Sequence, residues 1–145
     1  VPGEVVIQTY KVDHPSLVTS KNHDYKSFVE QELENRSFFN YPPFGKLTAI
    51  RITGLREQEV IQESQKIANY LTQLISHFPE LKDSQVLGPT PAPLSRIKNR
   101  YRYHLLIKSR NHKVLNHIGN KAAQFISENI KQSKCLIDVD PYTLL

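Results

Sequence analysis

Between Arg96 and His104 the chain reads Arg-Ile-Lys-Asn-Arg-Tyr-Arg-Tyr-His. Arginine at this density binds anions, because its planar fork of N–H donors matches a carboxylate or a phosphate with two parallel hydrogen bonds. Tyrosines interleaved with arginines also suit stacking against single-stranded bases. The chemistry offered here is recognition of a negatively charged partner.

Other reactive residue types lack the spacing that catalysis or metal binding needs. Asp138 and Asp140 lie two apart near the end of the chain, on one face of a strand, where paired carboxylates could hold a metal or exchange protons. Pairing with arginine is the simpler reading. The histidines (His14, His23, His77, His104, His112 and His117) show no ligand spacing with the single Cys135, which suits a small buried hydrophobe. Ser95 and Ser109 have no evident His–acid partners in sequence, although triads are built in space. No Gly-x-x-x-x-Gly-Lys-Ser/Thr appears, and Pro89-Thr90-Pro91-Ala92-Pro93 lacks the consecutive N–H groups of a phosphate cradle.

The distribution of charge strengthens the case for binding. All 14 carboxylates lie outside Ser84–Ser127, whereas Arg96, Lys98, Arg100, Arg102, Lys108, Arg110, Lys113 and Lys121 lie inside it. The net charge of +5 is therefore concentrated on part of the surface, which attracts phosphates or acidic peptides. With 39% hydrophobic residues in 145, the chain can bury a real core. It has no apolar run of membrane-spanning length and no signal-peptide pattern, so a cytoplasmic protein is expected. Methionine is absent even at position 1, and the chain reads as a piece of a longer protein.

The elements that must position the basic run follow from periodicity. Val5–Tyr10 reads as a lone strand and Lys11–Asn22 as a polar linker. Asp24 suits an N-cap, opening a helix over Tyr25–Arg36. Tyr41-Pro42-Pro43-Phe44-Gly45 stops any helix. Leu47–Thr53 alternates as a strand, and Glu57–Phe78 is an amphipathic helix. Gln85–Gly88 is a short strand followed by the proline loop, and Arg100–Lys108 is a strand. His112–Lys131 is a second amphipathic helix, and Cys135–Val139 a last strand. The predicted fold class is α+β: a split βαβ (βαββαβ, ferredoxin-like) antiparallel sheet with two helices on one face, preceded by an extra strand and an N-terminal helix.

Alternation along Arg100–Lys108 divides the basic run. Tyr101, Tyr103, Leu105 and Ile107 face the helices, leaving Arg100, Arg102, His104, Leu106 and Lys108 on the open face. A solvated charged face over core tyrosines is the plain reading; a cationic binding ridge is the functional one. Alternation counts against base stacking, since it points the rings away from the charges.

Several strings in order carry a resemblance: Pro-Gly-Glu-Val-Val-Ile-Gln-Thr, His23-Asp24-Tyr25 with Glu30–Arg36, Tyr41-Pro42-Pro43-Phe44, Val86-Leu87-Gly88-Pro89 with Pro91-Ala92-Pro93, Arg100-Tyr101-Arg102-Tyr103, and Ile137-Asp138-Val139-Asp140-Pro141. Together they resemble the C-terminal part of the PriA family, the primosomal replication-restart DNA helicases of bacteria. The resemblance implies that residues 1–22 are the end of a helicase lobe with its linker. It implies that 23–145 form a C-terminal DNA- and partner-binding domain with a leading helix over 24–36. It further implies an ATP-dependent 3′–5′ DNA helicase whose ATP, magnesium and zinc sites lie upstream, with no cofactor and no catalytic residue in this part. The implied partners are DNA, other primosome proteins and the acidic C-terminal tail of the single-stranded DNA-binding protein. Tail binding in the family maps to Arg100 and His104. Arg96, Lys98, Arg102, Lys108 and Arg110 are the candidate nucleic-acid contacts, meeting phosphates. The alternative from the residues alone is an RNA-binding or ribosomal-type structural domain of the same fold.

Overall fold

The computed structural model describes residues 3–143. Its elements run α1 (Pro15–Lys21), α2 (Tyr25–Phe38), β1 (Lys46–Gly54), α3 (Glu57–His77), a turn of 3-10 helix (Pro79–Leu81), β2 (Gln85–Ile97), β3 (Arg100–Ser109), α4 (His112–Asn129) and β4 (Lys134–Val139). The four strands form one antiparallel sheet in the order β2-β3-β1-β4. Packing α3 and α4 on one face of this sheet gives the α+β split βαβ fold.

Strand alternation and helical spacing meet in one core. Ile50 and Ile52 of β1 and Leu105 and Ile107 of β3 pack against Val60, Ile67 and Leu71 of α3 and Leu115, Ile118 and Ala122 of α4. Each large aliphatic side chain fully buried there contributes roughly 1.5–3 kcal/mol. Tyr101 and Tyr103 pack partly against the same cluster, so the tyrosines of the basic run do face the helices. Tyr70 and Phe125 stack at 4.1 Å between centroids and tie α3 to α4.

Three expectations are corrected. The lone strand over Val5–Tyr10 carries no strand structure; a strand needs a hydrogen-bonding neighbour, and none reaches it among the described residues. Val1 and Pro2 of the same stretch lie outside the described residues, as do Leu144 and Leu145 at the other end. Within the expected linker, Pro15–Lys21 is helical: Pro15 occupies the first turn, and the His14 side chain accepts from the Ser16 N–H. The proline loop is itself part of β2. β2 is an edge strand, so a proline facing solvent forfeits no ladder bond. Its register with β3 shifts twice, between Leu87 and Thr90 and between Pro91 and Arg96. The Gly88–Pro89 and Pro42–Pro43 peptide bonds are cis. Gly88 has φ +97°, and a Cβ there would lie 2.8 Å from the His104 carbonyl oxygen. Only glycine fits this first shift.

β2 and β3 join through Lys98 and Asn99, both at positive φ (49° and 58°), as in the tight turns that match strand twist. The β1 ladder ends at Gly54 opposite Tyr101. Beyond it the hairpin continues as two strands only and carries Arg100 at its tip.

Candidate anion-binding face of the sheet

The face away from α3 and α4 carries the residues that alternation assigned to it. Register places Arg102 opposite Thr53, His104 opposite Arg51 and Lys108 opposite Leu47 on β1. On the far side of β1, Arg51 pairs with Leu136 and Ala49 with Asp138 of β4. One end of this face is apolar, where Leu47, Ala49 and Leu106 are buried with Leu87 against them. The middle and the hairpin end are cationic.

Arg100 and His104 are four residues apart on one strand, hence about 13 Å between Cα atoms. One carboxylate cannot bridge them; a peptide segment of a few residues can. Arg100 is exposed and makes no hydrogen bond or ion pair among the described residues. His104 is half-buried, and its Nε2 shares a hydrogen bond with Thr90 Oγ1 at 3.1 Å. Its Nδ1 is buried without a partner. Burial, then the charges of Arg51 and Arg102, hold this imidazole below the ordinary histidine value. His104 is therefore neutral at pH 7 and recognises a partner by hydrogen bonding rather than by charge.

The other basic candidates divide sharply. Lys98 sits on the hairpin turn with no ion pair or hydrogen bond among the described residues. Arg102 remains on the open face and donates from Nη1 to the Leu94 carbonyl at 3.2 Å. Arg96 lies opposite Tyr101 in the ladder, on the helix side. Its guanidinium stacks over that ring at 5.0 Å and reaches Asn99 Oδ1 at 3.3 Å. Lys108 donates to the Phe39 carbonyl at 2.8 Å and lies over the Tyr41 ring at 4.8 Å. Arg110 donates from Nε to Asn40 Oδ1 at 3.0 Å. Lys108 and Arg110 thus bolt the α2–β1 connector to the sheet, whereas Arg100, Lys98 and Arg102 stay available.

Arg51 was not among the sequence candidates. It extends the basic face onto β1, donating through Nη2 to Asp138 Oδ2 at 3.1 Å and to the Thr143 carbonyl at 2.7 Å. The signal was present: alternation through Leu47–Thr53 sets Arg51 on the open face, and the split βαβ order makes β1 the neighbour of β3. Asp138 and Asp140 do not act together. Asp138 pairs with Arg51, and Asp140 lies 3.8 Å from Lys46. Among the described residues no group of three histidine, cysteine or acidic side chains could hold a metal ion, and no helix is long and apolar enough to cross a membrane. Burial, with Glu63 nearby, pushes the Cys135 thiol up to about 11, so it is protonated and unreactive.

The fold and this face define a split βαβ binding domain with an open cationic sheet surface. The family model described as the primosomal protein N C-terminal domain matches residues 38–142, and the chain belongs to that family. The replication restart protein PriA of Synechocystis is 45% identical over 107 residues, covering 74% of this chain and 12% of that protein. The PriA proteins of Bacillus subtilis (32% identical) and Haemophilus influenzae (31%) match over 99% and 98% of this chain and 18% and 19% of their own lengths. The chain thus spans less than a fifth of the length of these relatives. A de novo designed protein, Foldit4, superposes with a TM-score of 0.50 at 15% identity, over 68% of this chain and 99% of its own. That likeness concerns the fold alone.

Proposed function

We propose that this chain is the DNA- and partner-binding domain at the C-terminal end of a replication restart helicase, and is not itself catalytic. On this reading residues 1–22 belong to the preceding helicase lobe, and ATP, magnesium and zinc are bound by upstream parts of a 3′–5′ DNA helicase. That protein works in the cytoplasm, at the nucleoid, with other primosome proteins. The open sheet face receives the acidic C-terminal tail of the single-stranded DNA-binding protein along Arg100 and His104. Lys98 and Arg102 at the projecting hairpin meet DNA phosphates.

The observation that carries this reading is the free state of Arg100. It stands in line with a half-buried, neutral His104, and the surrounding window from Ser84 to Ser127 contains no carboxylate to neutralise it. A guanidinium left unpaired beside a fixed hydrogen-bonding group fits a carboxylate ligand. The test is titration of the intact protein with a short acidic peptide ending in a free carboxylate. Arg100→Ala should weaken binding about tenfold or more, the loss expected for one charge-assisted hydrogen-bonding partner; unchanged affinity would falsify the assignment. Binding of single-stranded DNA should weaken with salt, with a log–log slope of about −2 if Lys98, Arg100 and Arg102 supply the phosphate contacts. A flat salt response, or clear preference for structured RNA in direct competition, would overturn the DNA assignment.

A further inference from the structure

Among the described residues, Arg51 is the one arginine of the open face that has a carboxylate partner, and the chain's own C-terminal residues hold it as well. After β4 ends, Asp140 turns through positive φ (49°) and its N–H donates to the Leu47 carbonyl at 2.8 Å. The chain then runs back toward the open face, where the Thr143 carbonyl accepts from Arg51 Nη2 at 2.7 Å. Its anchors are thin. The Lys46–Asp140 pair is half-exposed at 3.8 Å, and the Tyr142 side chain is fully exposed. Pro141, Tyr142 and Thr143 also wall a cleft of ≈ 420 Å³ with Phe39, Tyr41 and Leu47.

Resting on the function proposed above, we propose that Arg51 is a further member of the acid-binding face and that residues 140–143 form a strap which the partner's carboxylate displaces to reach it. Arg51 stands opposite His104 across the β1–β3 ladder, about 5 Å away between strands. A peptide lying along Arg100 and His104 therefore meets Arg51 next. The guanidinium is under-satisfied where it rests, since Nε is buried without a partner. The bond that fixes the strap to it is to a neutral carbonyl. A carboxylate forms a charge-assisted bond roughly twice as strong, so exchange of Thr143 for a partner's carboxylate is favourable. Asp138 remains on Arg51 and keeps the fork aimed across the sheet.

The test uses the intact protein and the same carboxylate-terminated acidic peptide. Removing residues 141–145 should raise affinity about fivefold, because one neutral hydrogen bond no longer has to be broken. Arg51→Gln should abolish that gain. Independently of any variant that misfolds, hydrogen exchange of the Asp140–Thr143 amides in the unmodified protein should accelerate when peptide is added. Unchanged or lowered affinity on truncation, with exchange in 140–143 unchanged or slowed by peptide, overturns the strap. If Arg100→Ala still weakens binding in that case, the acid-binding face stands without its strap. If the peptide does not bind the protein at all, both readings fall.

Discussion

Glu63 offers the sharpest test of how this fold holds its last strand. It is a glutamate in the middle of α3, only 5% exposed. Its Oε1 accepts the backbone N–H groups of Lys131 (3.0 Å) and Gln132 (3.1 Å), and Oε2 that of Ser133 (2.7 Å). These three residues connect α4 to β4, and β4 carries the Asp138 that aims Arg51. Burial by itself would raise this carboxyl; the hydrogen bonds from Ser133, Gln132 and Lys131 together outweigh it and leave it below the ordinary glutamate value. Hydrogen bonds to a charged group contribute roughly 1.5–3 kcal/mol each, and they do not add fully. Lys131 and Gln132 are exposed enough for water to replace part of the loss. Glu63→Ala should therefore cost about 3–4 kcal/mol, a large share of the 5–15 kcal/mol typical of a domain. Glu63→Gln should cost about 2 kcal/mol, since an amide oxygen can still serve two of the N–H groups while its NH₂ opposes the third. A carboxyl depressed in the folded state stabilises fully above its unfolded value, and that contribution is lost as pH falls through the folded value. The difference between wild type and Glu63→Gln should thus be complete at neutral pH and shrink below about pH 4.3. Urea unfolding at each pH, read as a midpoint shift at constant m, measures both effects. A loss below 1 kcal/mol for Glu63→Ala, or a difference that grows in acid, would refute the reasoning.

Two further outcomes follow from the basic face. Burial and the charges of Arg51 and Arg102 depress His104, so its NMR titration should fall below that of the exposed histidines. Arg51→Gln with Arg102→Gln should move it back toward the ordinary range. The sign makes this histidine acid-destabilising: its contribution is whole above about pH 6.5 and lost as pH falls. Titration at or above the exposed histidines would contradict the burial. For Lys108→Ala with Arg110→Ala, amide exchange should accelerate across residues 39–44, and stability should fall by about 1–2 kcal/mol. DNA affinity should stay within about twofold, because these two cations are engaged by Phe39, Tyr41 and Asn40. A large loss of DNA binding with unchanged exchange would show that the connector contacts are dispensable.

The core was legible because two periods in the sequence are long and clean. Val60, Ile67 and Leu71 repeat at helical spacing, and Tyr101 to Ile107 alternate; together they fix which faces meet. The tyrosine–arginine division of β3 followed from the same alternation. What stayed hidden depends on contacts far apart in sequence. Pro89, Pro91 and Pro93 argue locally against a strand, and only the edge position of β2 makes them harmless. Glu63 reads as one more solvated helix charge until the α4–β4 connector supplies its donors, more than sixty residues away. The role of Arg51 required the register between β1, β3 and β4, and the engagement of Lys108 and Arg110 required the fold of a connector that has no period. Composition gave the sign of the surface but not which cations were already committed.

That commitment decides how the face can work. Toward the apolar end of the sheet, Lys108 and Arg110 are spent on holding the α2–β1 connector, and at the hairpin Arg96 is spent on Tyr101. What remains is graded in mobility. His104 is fixed in the sheet interior by Thr90 and by its own burial, whereas Arg100 stands past the end of β1 on a two-stranded hairpin, with nothing holding its side chain among the described residues. A rigid neutral group alone would give orientation with little attraction. A free guanidinium alone would attract any anion, yet it would surrender about 2 kcal/mol of rotamer entropy on binding. Placed about 13 Å apart on one face, the two discriminate by shape: DNA phosphates can satisfy the hairpin cations, but only a ligand that lies down along β3 engages Arg100 and His104 at once. Selectivity for an acidic peptide over nucleic acid therefore resides in His104, although nearly all of the electrostatic attraction resides in the arginines.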